Sequence, residues 1–438
     1  MNHLKIIILI LLMGNMSCKT AQEKGNPSQM EPVKVELVNN DGHYQLFRLG
    51  EPYFIRGAGT TFDKIKSLAR NGANSCRTWS TETQDYTAGQ FLDTAHHYQL
   101  TVTLGLDVQK ERKGFDYNDP VAVKKQFEYI KKEVLKYKDH PALLVWGIGN
   151  ELNLNYSNPK VWDAVNDIAR MIKEIDPNHP TTTMLAGIKA YDVKEIAKRC
   201  PDLDFLSIQM YGDLPNLQAR IRESGYDGPY IVSEWGATGH WEVARTKWDA
   251  PIEQTSKEKA EAYIHRYRVA IESDSLRCLG SYVFYWGQKQ ERTPTWYGLF
   301  TEDGYPTETI DAMHFLWKDE WPKNRAPRLD SLRLNGLSAF DHIILEKNKT
   351  YPAEVFCFDA ENESLTYAWE ILYESNDLGV GGDYESRPDN IEGLIIPENS
   401  RRVEITTPNE KGAYRLFVYV MDSENKTATA NIPFYVNE

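Results

Sequence analysis

Short apolar runs alternate with longer amphipathic stretches over the first three quarters of the chain. The amphipathic stretches have apolar residues every three or four positions, as Val123, Phe127, Ile130 and Val134 show in residues 121–138, and this spacing predicts helices. Eight strands that alternate with helices are typical of a (β/α)8 barrel. The apolar runs predict eight buried strands, in residues 53–56, 73–78, 100–106, 142–149, 182–185, 205–210, 230–233 and 279–285.

An open, doubly wound sheet would show the same alternation of strands and helices. Such sheets often carry a GxGxxG turn after the first strand, and the sequence has none there. We therefore predict an α/β fold, a TIM barrel, in residues 33–321. Its first part, residues 33–49, has two strand-like segments around Asn40-Asp41-Gly42 and is predicted to form a small β-hairpin.

The pattern changes at residues 322–328, where two prolines among polar residues predict a stiff linker. Helical periodicity ends there, and strand-like runs predict a β-sandwich in residues 329–438. Cys357 and Trp369 lie about where an immunoglobulin-like domain has its first cysteine and core tryptophan, and Tyr414 resembles its tyrosine corner. The domain therefore resembles an immunoglobulin-like sandwich, although the second cysteine is absent.

The first residues have the pattern of a bacterial targeting segment. The apolar run in residues 6–13 is too short to cross a bilayer and fits the core of a signal peptide. Ser17 before Cys18 resembles the lipobox of lipoproteins, although Asn15 stands where leucine is usual. We predict a lipoprotein signal in residues 1–18 with Cys18 lipidated, a tether in residues 19–32, and a place at the bacterial outer membrane, on its cell surface or periplasmic side. The alternative is an ordinary secretory signal with an accidental cysteine.

Net charge and cysteine spacing limit which classes of partner, substrate and cofactor the sequence favours. The formal net charge of −13 argues against nucleic acid as a partner, because phosphate binding needs clustered lysine and arginine. It also favours a neutral glycan over an anionic one. The four cysteines after Cys18 have no metal-ligand spacing and are interpreted as buried free thiols. The sequence contains no phosphate loop and no dinucleotide fingerprint, so we expect no cofactor and no metal. We also expect the chain to be a monomer.

Two glutamates lie at the ends of predicted strands, where barrels place their reacting groups. Glu151 follows the fourth strand and Glu234 follows the seventh, so we expect their carboxylates to face each other across the barrel mouth. Glycoside hydrolysis needs such a pair, one carboxyl protonated to release the leaving oxygen and one ionised to attack the anomeric carbon. A lone glutamate at a strand end is usually solvated, but the pair favours catalysis.

An Asn-Glu pair after strand four and a second glutamate after strand seven resemble clan A of the glycoside hydrolases. The resemblance implies that Glu151 is the acid/base, that Glu234 is the nucleophile and that the anomeric configuration is retained. It also implies that Asn150 contacts the sugar 2-hydroxyl and that Tyr211, after strand six, orients the nucleophile.

Further residues are candidates for contact with the substrate. The resemblance implies that Arg77, after strand two, lies near the nucleophile and that Trp286, after strand eight, is the platform under the cleaved sugar. The alternatives are an internal salt bridge for Arg77 and a place in the core for Trp286. Four tryptophans of predicted mouth loops are candidate stacking platforms: Trp79, Trp241, Trp248 and Trp296.

A compact barrel followed directly by an immunoglobulin-like domain, with 83 positions from Glu151 to Glu234, resembles glycoside hydrolase family 158. This implies a retaining endo-β-1,3-glucanase that acts on laminarin-like glucan. The same glutamates would also serve a glucanosyltransferase or a hydrolase of another β-linked glycan, such as mannan or mixed-linkage glucan. An alternative of another class is a glycan-binding lipoprotein without catalysis. We interpret the sandwich as a spacer rather than a carbohydrate-binding domain.

Overall fold

The computed structural model describes residues 32–438. The predicted signal, Cys18 and nearly all of the tether lie outside the described residues. In the described part, a parallel sheet closes into a barrel of eight strands, which follow one another around the barrel in chain order. These strands are β4 (Ile55–Thr60), β5 (Ser75–Arg77), β6 (Thr101–Leu106), β7 (Leu143–Asn150), β8 (Thr181–Ala186), β9 (Phe205–Gln209), β10 (Tyr230–Trp235) and β11 (Cys278–Trp286).

Helices surround the barrel and bury their apolar faces against it. Several begin at side chains that cap free backbone N–H groups; Thr87, for example, accepts from the N–H of Gln90. Among the described residues, none of the helices is long and apolar enough to span a membrane. The helices are α1 (Ile65–Arg70), α2 (Ala88–His97), α3 (Pro120–Tyr137), α4 (Lys160–Ile175), α5 (Ala190–Arg199), α6 (Leu217–Ser224), α7 (Ser256–Arg266) and α8 (Glu308–Lys318).

A small antiparallel sheet closes the end of the barrel at which its strands begin. It consists of β1 (Val35–Asn40), β2 (His43–Arg48) and β3 (Glu51–Tyr53). Val35 and Leu46 of this sheet form one apolar cluster with residues near the starts of barrel strands. The predicted hairpin thus has a third strand, and the opposite end of the barrel remains for a site.

Two four-stranded sheets form the C-terminal sandwich. Tyr414 is buried, and its hydroxyl donates to the Glu410 carbonyl at 2.9 Å, as a tyrosine corner does. One sheet has the order β12-β14-β17-β16 and the other β13-β19-β18-β15, with β12 (Arg328–Leu334), β13 (Ile344–Glu346), β14 (Thr350–Phe358), β15 (Thr366–Tyr373), β16 (Ile395–Ile396), β17 (Arg402–Thr406), β18 (Gly412–Met421) and β19 (Thr427–Asn437).

Buried polar contacts join the sandwich to the barrel. Arg415 of β18 donates to the Pro251 carbonyl at 2.9 Å, and Asn431 of β19 donates to the buried Glu253 carboxylate at 2.6 Å. A buried charge that loses its partner is costly, so these contacts fix how the two domains are oriented. The sandwich therefore packs against the barrel through buried polar contacts.

The predicted fold class, a TIM barrel followed by a β-sandwich, is confirmed. All eight barrel strands overlap their predicted ranges. The short strands β13 and β16 escaped the sequence analysis because three and two residues are too few to show alternation. Cys76, Cys200 and Cys278 are buried free thiols, and Cys357 is a partly buried one.

Candidate active site

A cleft of about 430 Å³ opens where the barrel strands end. Carboxyl groups, aromatic rings and lysines share its wall, which is the composition expected of a sugar-binding site. The lining residues are Trp79, Lys110, Asn150, Glu151, Tyr211, Glu234, Trp241, Phe284, Tyr285, Lys289, Glu291, Tyr297, Gly381, Gly382 and Asp383.

Glu234 lies in β10 with its carboxylate surrounded by hydrogen-bond donors. Oε1 accepts from Arg77 Nη1 at 3.1 Å and from the indole N–H of Trp79 at 2.8 Å. Oε2 accepts from the Tyr211 hydroxyl at 2.9 Å. Burial raises the pKa of Tyr211 well above its usual value, so this hydroxyl stays a donor. Three donors, one of them a cation, stabilise negative charge on Glu234.

Arg77 lies at the end of β5 and is fully buried. Besides Glu234, its guanidinium donates to the Ser233 carbonyl at 2.7 Å and to Asn150 Oδ1 at 2.7 Å. Burial lowers the pKa of Arg77, and the charge of Glu234 opposes that effect. From the sequence, Arg77 is interpreted either as a residue near the nucleophile or as part of an internal salt bridge. The structure shows one contact that is both, because the salt bridge is made with the candidate nucleophile Glu234.

Asn150 ends β7, and both of its hydrogen bonds to described side chains use Oδ1. This oxygen accepts from Arg77 and from Gln209 Nε2, each at 2.7 Å. The two donors fix the orientation of the amide, because only its oxygen can accept. Within residues 32–438 no hydrogen bond is made by Nδ2, so this group can donate to a sugar hydroxyl in the cleft.

Glu151 follows Asn150 on a tight turn. Its backbone φ is +53°, in the left-handed region that glycine favours, and Gly149 has φ +75°. The N–H of Glu151 donates to the Met184 carbonyl at 2.8 Å, which holds the turn against β8. A strained conformation of this kind is common at functional sites, where it directs a side chain.

The carboxyl of Glu151 has a different environment from that of Glu234. It accepts no hydrogen bond from the described residues. Burial raises the pKa of Glu151 to about 7, and the negative charge of Glu234 adds to the shift. The positive charges of three nearby residues lower this pKa: Lys110, Arg112 and Arg77. One carboxyl can therefore be protonated near neutral pH beside another whose oxygens accept three hydrogen bonds, as an acid and a nucleophile require.

The prediction that Trp286 is a sugar platform is wrong. Its side chain is fully buried, outside the cleft, and it stacks on Trp317 of α8 with ring centroids 5.6 Å apart. The register of β11 against β4 shifts between Val283 and Trp286, and this irregularity turns Trp286 to the outer face of the barrel. Phe284 and Tyr285 line the cleft in its place.

The mouth-loop tryptophans separate into two pairs. Trp241 lines the cleft with its side chain 59% exposed, and Trp79 lines it as the donor to Glu234. Trp296 is buried and donates to the Thr238 carbonyl, while Trp248 packs on Tyr435 of the sandwich. Only the first pair can touch a sugar in this cleft.

Several cleft residues carry little signal in the sequence. Gln209, which orients Asn150, ends β9 and gives no signal beyond its position at a strand end. Lys110 and Lys289 lie in loops after β6 and β11, and Gly381–Asp383 belong to the sandwich. Across residues 32–438, no cluster of three or more histidine, cysteine, aspartate or glutamate side chains could hold a metal ion.

We expect Trp79→Phe to lower turnover about tenfold to a hundredfold, because a hydrogen bond to a charged group contributes about 1.5–3 kcal/mol. The phenyl ring keeps part of the stacking surface and lacks the donor to Glu234. The measurement is kcat on the best substrate, with Trp248→Phe as the matched control outside the cleft. Equal kcat in both variants would contradict a role for the indole N–H.

The geometry is that of a carbohydrate-cleaving enzyme, and comparison with known proteins agrees: this chain is a glycoside hydrolase. The family model described as glycosyl hydrolases family 2, TIM barrel domain, matches residues 89–314, which is 226 of the 438 residues. The chain belongs to this family. The predicted enzyme class is thereby confirmed.

Individual relatives are distant. A probable mannan endo-1,4-β-mannosidase C from Aspergillus terreus is 29% identical over 168 residues, which covers 33% of this chain and 40% of that protein. A solved structure of a glycoside hydrolase family 5 mannosidase from Rhizomucor miehei is 15% identical with a TM-score of 0.46. The match covers 65% of this chain and 97% of the mannosidase chain. An endo-β-1,3-glucanase from Pseudomonas viridiflava is 14% identical with a TM-score of 0.43. The match covers 59% of this chain and 96% of the glucanase chain.

Proposed function

We propose that the chain hydrolyses a β-linked glycan with retention of configuration, with Glu234 as nucleophile and Glu151 as acid/base. The observation that carries this is the unequal environment of the two carboxyl groups. Three donors hydrogen-bond the Glu234 carboxylate, while burial raises the pKa of Glu151 to about 7. An ionised group that attacks and a protonated group that donates are the two partners of double displacement.

In the first step, Glu234 attacks the anomeric carbon while Glu151 gives its proton to the departing glycosidic oxygen. The charge of Glu234 is lost when the glycosyl ester forms. Because that charge raises the pKa of Glu151, the pKa then falls, and Glu151 can accept a proton from water in the second step. Asn150 Nδ2 donates to the sugar beside the reacting carbon, and the exposed ring of Trp241 offers a stacking surface.

For the substrate we propose internal β-1,3 linkages of a laminarin-like glucan. The support is the resemblance to glycoside hydrolase family 158 in the order of barrel and sandwich and in the separation of Glu151 from Glu234 along the chain. The net charge of −13 agrees with a neutral glycan. The second candidate is β-1,4-mannan, which the similarity to the fungal mannosidase favours.

The test is the product profile from a panel of soluble β-glucans and mannans, separated by chromatography. Laminari-oligosaccharides of several lengths support the endo-1,3 proposal, and manno-oligosaccharides support the second candidate. Products longer than an oligosaccharide substrate would indicate a glucanosyltransferase. No cleavage of any β-glycan by the wild-type chain would contradict the proposed function as a whole.

The raised pKa of Glu151 predicts a loss of activity on the alkaline side. The carboxyl must be protonated in the first step, so kcat/KM on the polysaccharide should fall about tenfold per pH unit above the pKa of about 7. Glu308 is the matched control, since burial also raises its pKa to about 7 but it lies on α8, away from the cleft. Glu308→Gln should leave the profile unchanged. A flat profile from pH 6 to 9 would contradict the acid role.

A further inference from the structure

One loop of the sandwich lies in the mouth of the barrel. It comprises residues 374–394, between β15 and β16, and is called the sandwich loop below. Gly381, Gly382 and Asp383 of this loop line the same cleft as Glu151 and Glu234. The sandwich therefore supplies part of the wall of the active site, which a spacer would not do.

Basic residues of two barrel loops hold the tip of the sandwich loop, residues 381–383, in place. From the loop after β6, Arg112 and Lys113 bind the Asp383 carboxylate at 3.1 and 2.6 Å. From the loop after β11, Lys289 donates to the Gly382 carbonyl at 2.9 Å. These contacts come from opposite sides of the tip, so they fix its position across the cleft.

A second anchor lies behind the tip. Arg292 pairs with Glu385 at 2.9 Å, and the Glu385 side chain is only 1% exposed, so solvent screens this pair little. At the neck of the loop, the Asp377 carboxylate accepts from the N–H of Ser386 at 2.9 Å. At its base, Glu374 pairs with the buried Arg415 at 2.6 Å. The loop is thus ordered along most of its length by polar contacts.

The tip packs against the barrel beside the candidate acid/base. A Cβ atom added at Gly381 would lie 3.3 Å from Glu151 Oε2 and 2.6 Å from Leu154 Cδ2. The backbone φ of +59° at this position also favours glycine. The main chain of the sandwich therefore passes next to the oxygen of Glu151 with no room for a side chain between them.

We propose that the sandwich loop forms the leaving-group side of the substrate cleft, so that the sandwich helps to select the sugar that departs. This rests on the proposed role of Glu151. The leaving oxygen must lie within a hydrogen bond of Glu151 to receive its proton, and the sugar attached to that oxygen then meets Gly381, Gly382 and Asp383. Lys110 borders the same region and forms no salt bridge with a described carboxylate, so its ammonium can donate to hydroxyls of that sugar.

The matching experiment compares two leaving groups. A sugar leaving group uses the proposed wall, whereas a phenyl leaving group, which also departs with a proton from Glu151, does not reach along it. Replacing residues 378–385 by two glycines removes the tip and keeps the neck, where Asp377 binds Ser386. We expect kcat/KM on an oligosaccharide to fall at least tenfold, while kcat/KM on the aryl β-glycoside of the same sugar stays within about threefold.

Equal losses on both substrates would overturn the proposal, because a merely structural loop affects every substrate alike. Unchanged turnover of both would overturn it as well. Failure of the proposed function looks different, since the wild-type chain would then cleave neither substrate.

A point variant keeps the proposal testable if the truncated chain does not fold. Asp383→Ala removes a sandwich carboxylate that pairs with Lys113 beside the cleft. Its matched control is Asp330→Ala, which removes a sandwich carboxylate that pairs with Lys257 at 2.6 Å, with neither residue in the cleft wall. We expect Asp383→Ala to lower kcat/KM on the oligosaccharide at least threefold relative to the aryl substrate, and Asp330→Ala to leave that ratio unchanged. Identical ratios in the two variants would refute the proposed wall.

Discussion

Replacing Glu234 with alanine should lower kcat at least about a thousandfold on any good substrate, a loss of about 4 kcal/mol of transition-state stabilisation. The carboxylate is the group that would bond to the anomeric carbon, and a water molecule in its place would be a much weaker nucleophile because it is uncharged. Arg77, Trp79 and Tyr211 all donate to the carboxylate. A residual rate above about a tenth of wild type would show that another group is the nucleophile.

A small anion separates lost chemistry from lost folding in this variant. Azide can enter the space left by the Glu234 carboxylate, where the donors remain, and attack an activated aryl β-glycoside from the same face. The expected product is the glycosyl azide of inverted, α configuration, because only one displacement then occurs. A misfolded variant would form no azide product. A β-azide would place the missing carboxylate on the wrong face and contradict the assignment.

Replacing Glu151 with alanine should have an effect that depends on the leaving group. Turnover of the polysaccharide should fall about a hundredfold to ten-thousandfold, which is the usual contribution of a general acid. An aryl glycoside whose phenolate is already stable needs no proton, so formation of the glycosyl-enzyme should be nearly as fast as in wild type. Its hydrolysis would still be slow without the base, and a burst of phenolate followed by a slow phase is the expected time course.

The pH profile provides an independent check on the same residue. The alkaline fall of kcat/KM above the pKa of about 7 should disappear in Glu151→Ala, because the titrating carboxyl is gone. Azide should speed the slow phase and yield the β-azide, since it attacks from the face that Glu151 occupied. Equal losses on natural and activated substrates, without a burst, would contradict the acid/base role.

The barrel could be predicted because each of its strands is buried on both faces. Burial makes runs such as Leu143–Leu144–Val145 apolar throughout, and the helices between them carry one apolar face. Both patterns are local, so they are visible along the chain before any contact is known. Glu151 and Glu234 were found for the same reason, since a charged residue at the end of an apolar strand stands out.

The orientation of Trp286 could not be predicted, because one irregularity in β11 reverses which face its side chain takes. Its sequence context is the same whether it faces the cleft or α8. Phe284 and Tyr285 precede it in the same strand, and only the register decides which rings a sugar would meet. The resemblance, which carried the platform over by position at the end of strand eight, therefore named the wrong aromatic residue.

The sequence by itself determined the fold class and the two candidate glutamates, because these follow from local alternation and from position at a strand end. The resemblance to clan A added Asn150 and Tyr211 to the candidates. Only the tertiary structure decided how those groups are coupled. The indole of Trp79 donates to Glu234, and the glycine tip of the sandwich passes beside Glu151, which is 230 positions away along the chain. The first contact depends on how the barrel strands and their loops close around the mouth, and the second depends on the angle at which the sandwich packs against the barrel. Local patterns of burial carry no record of either.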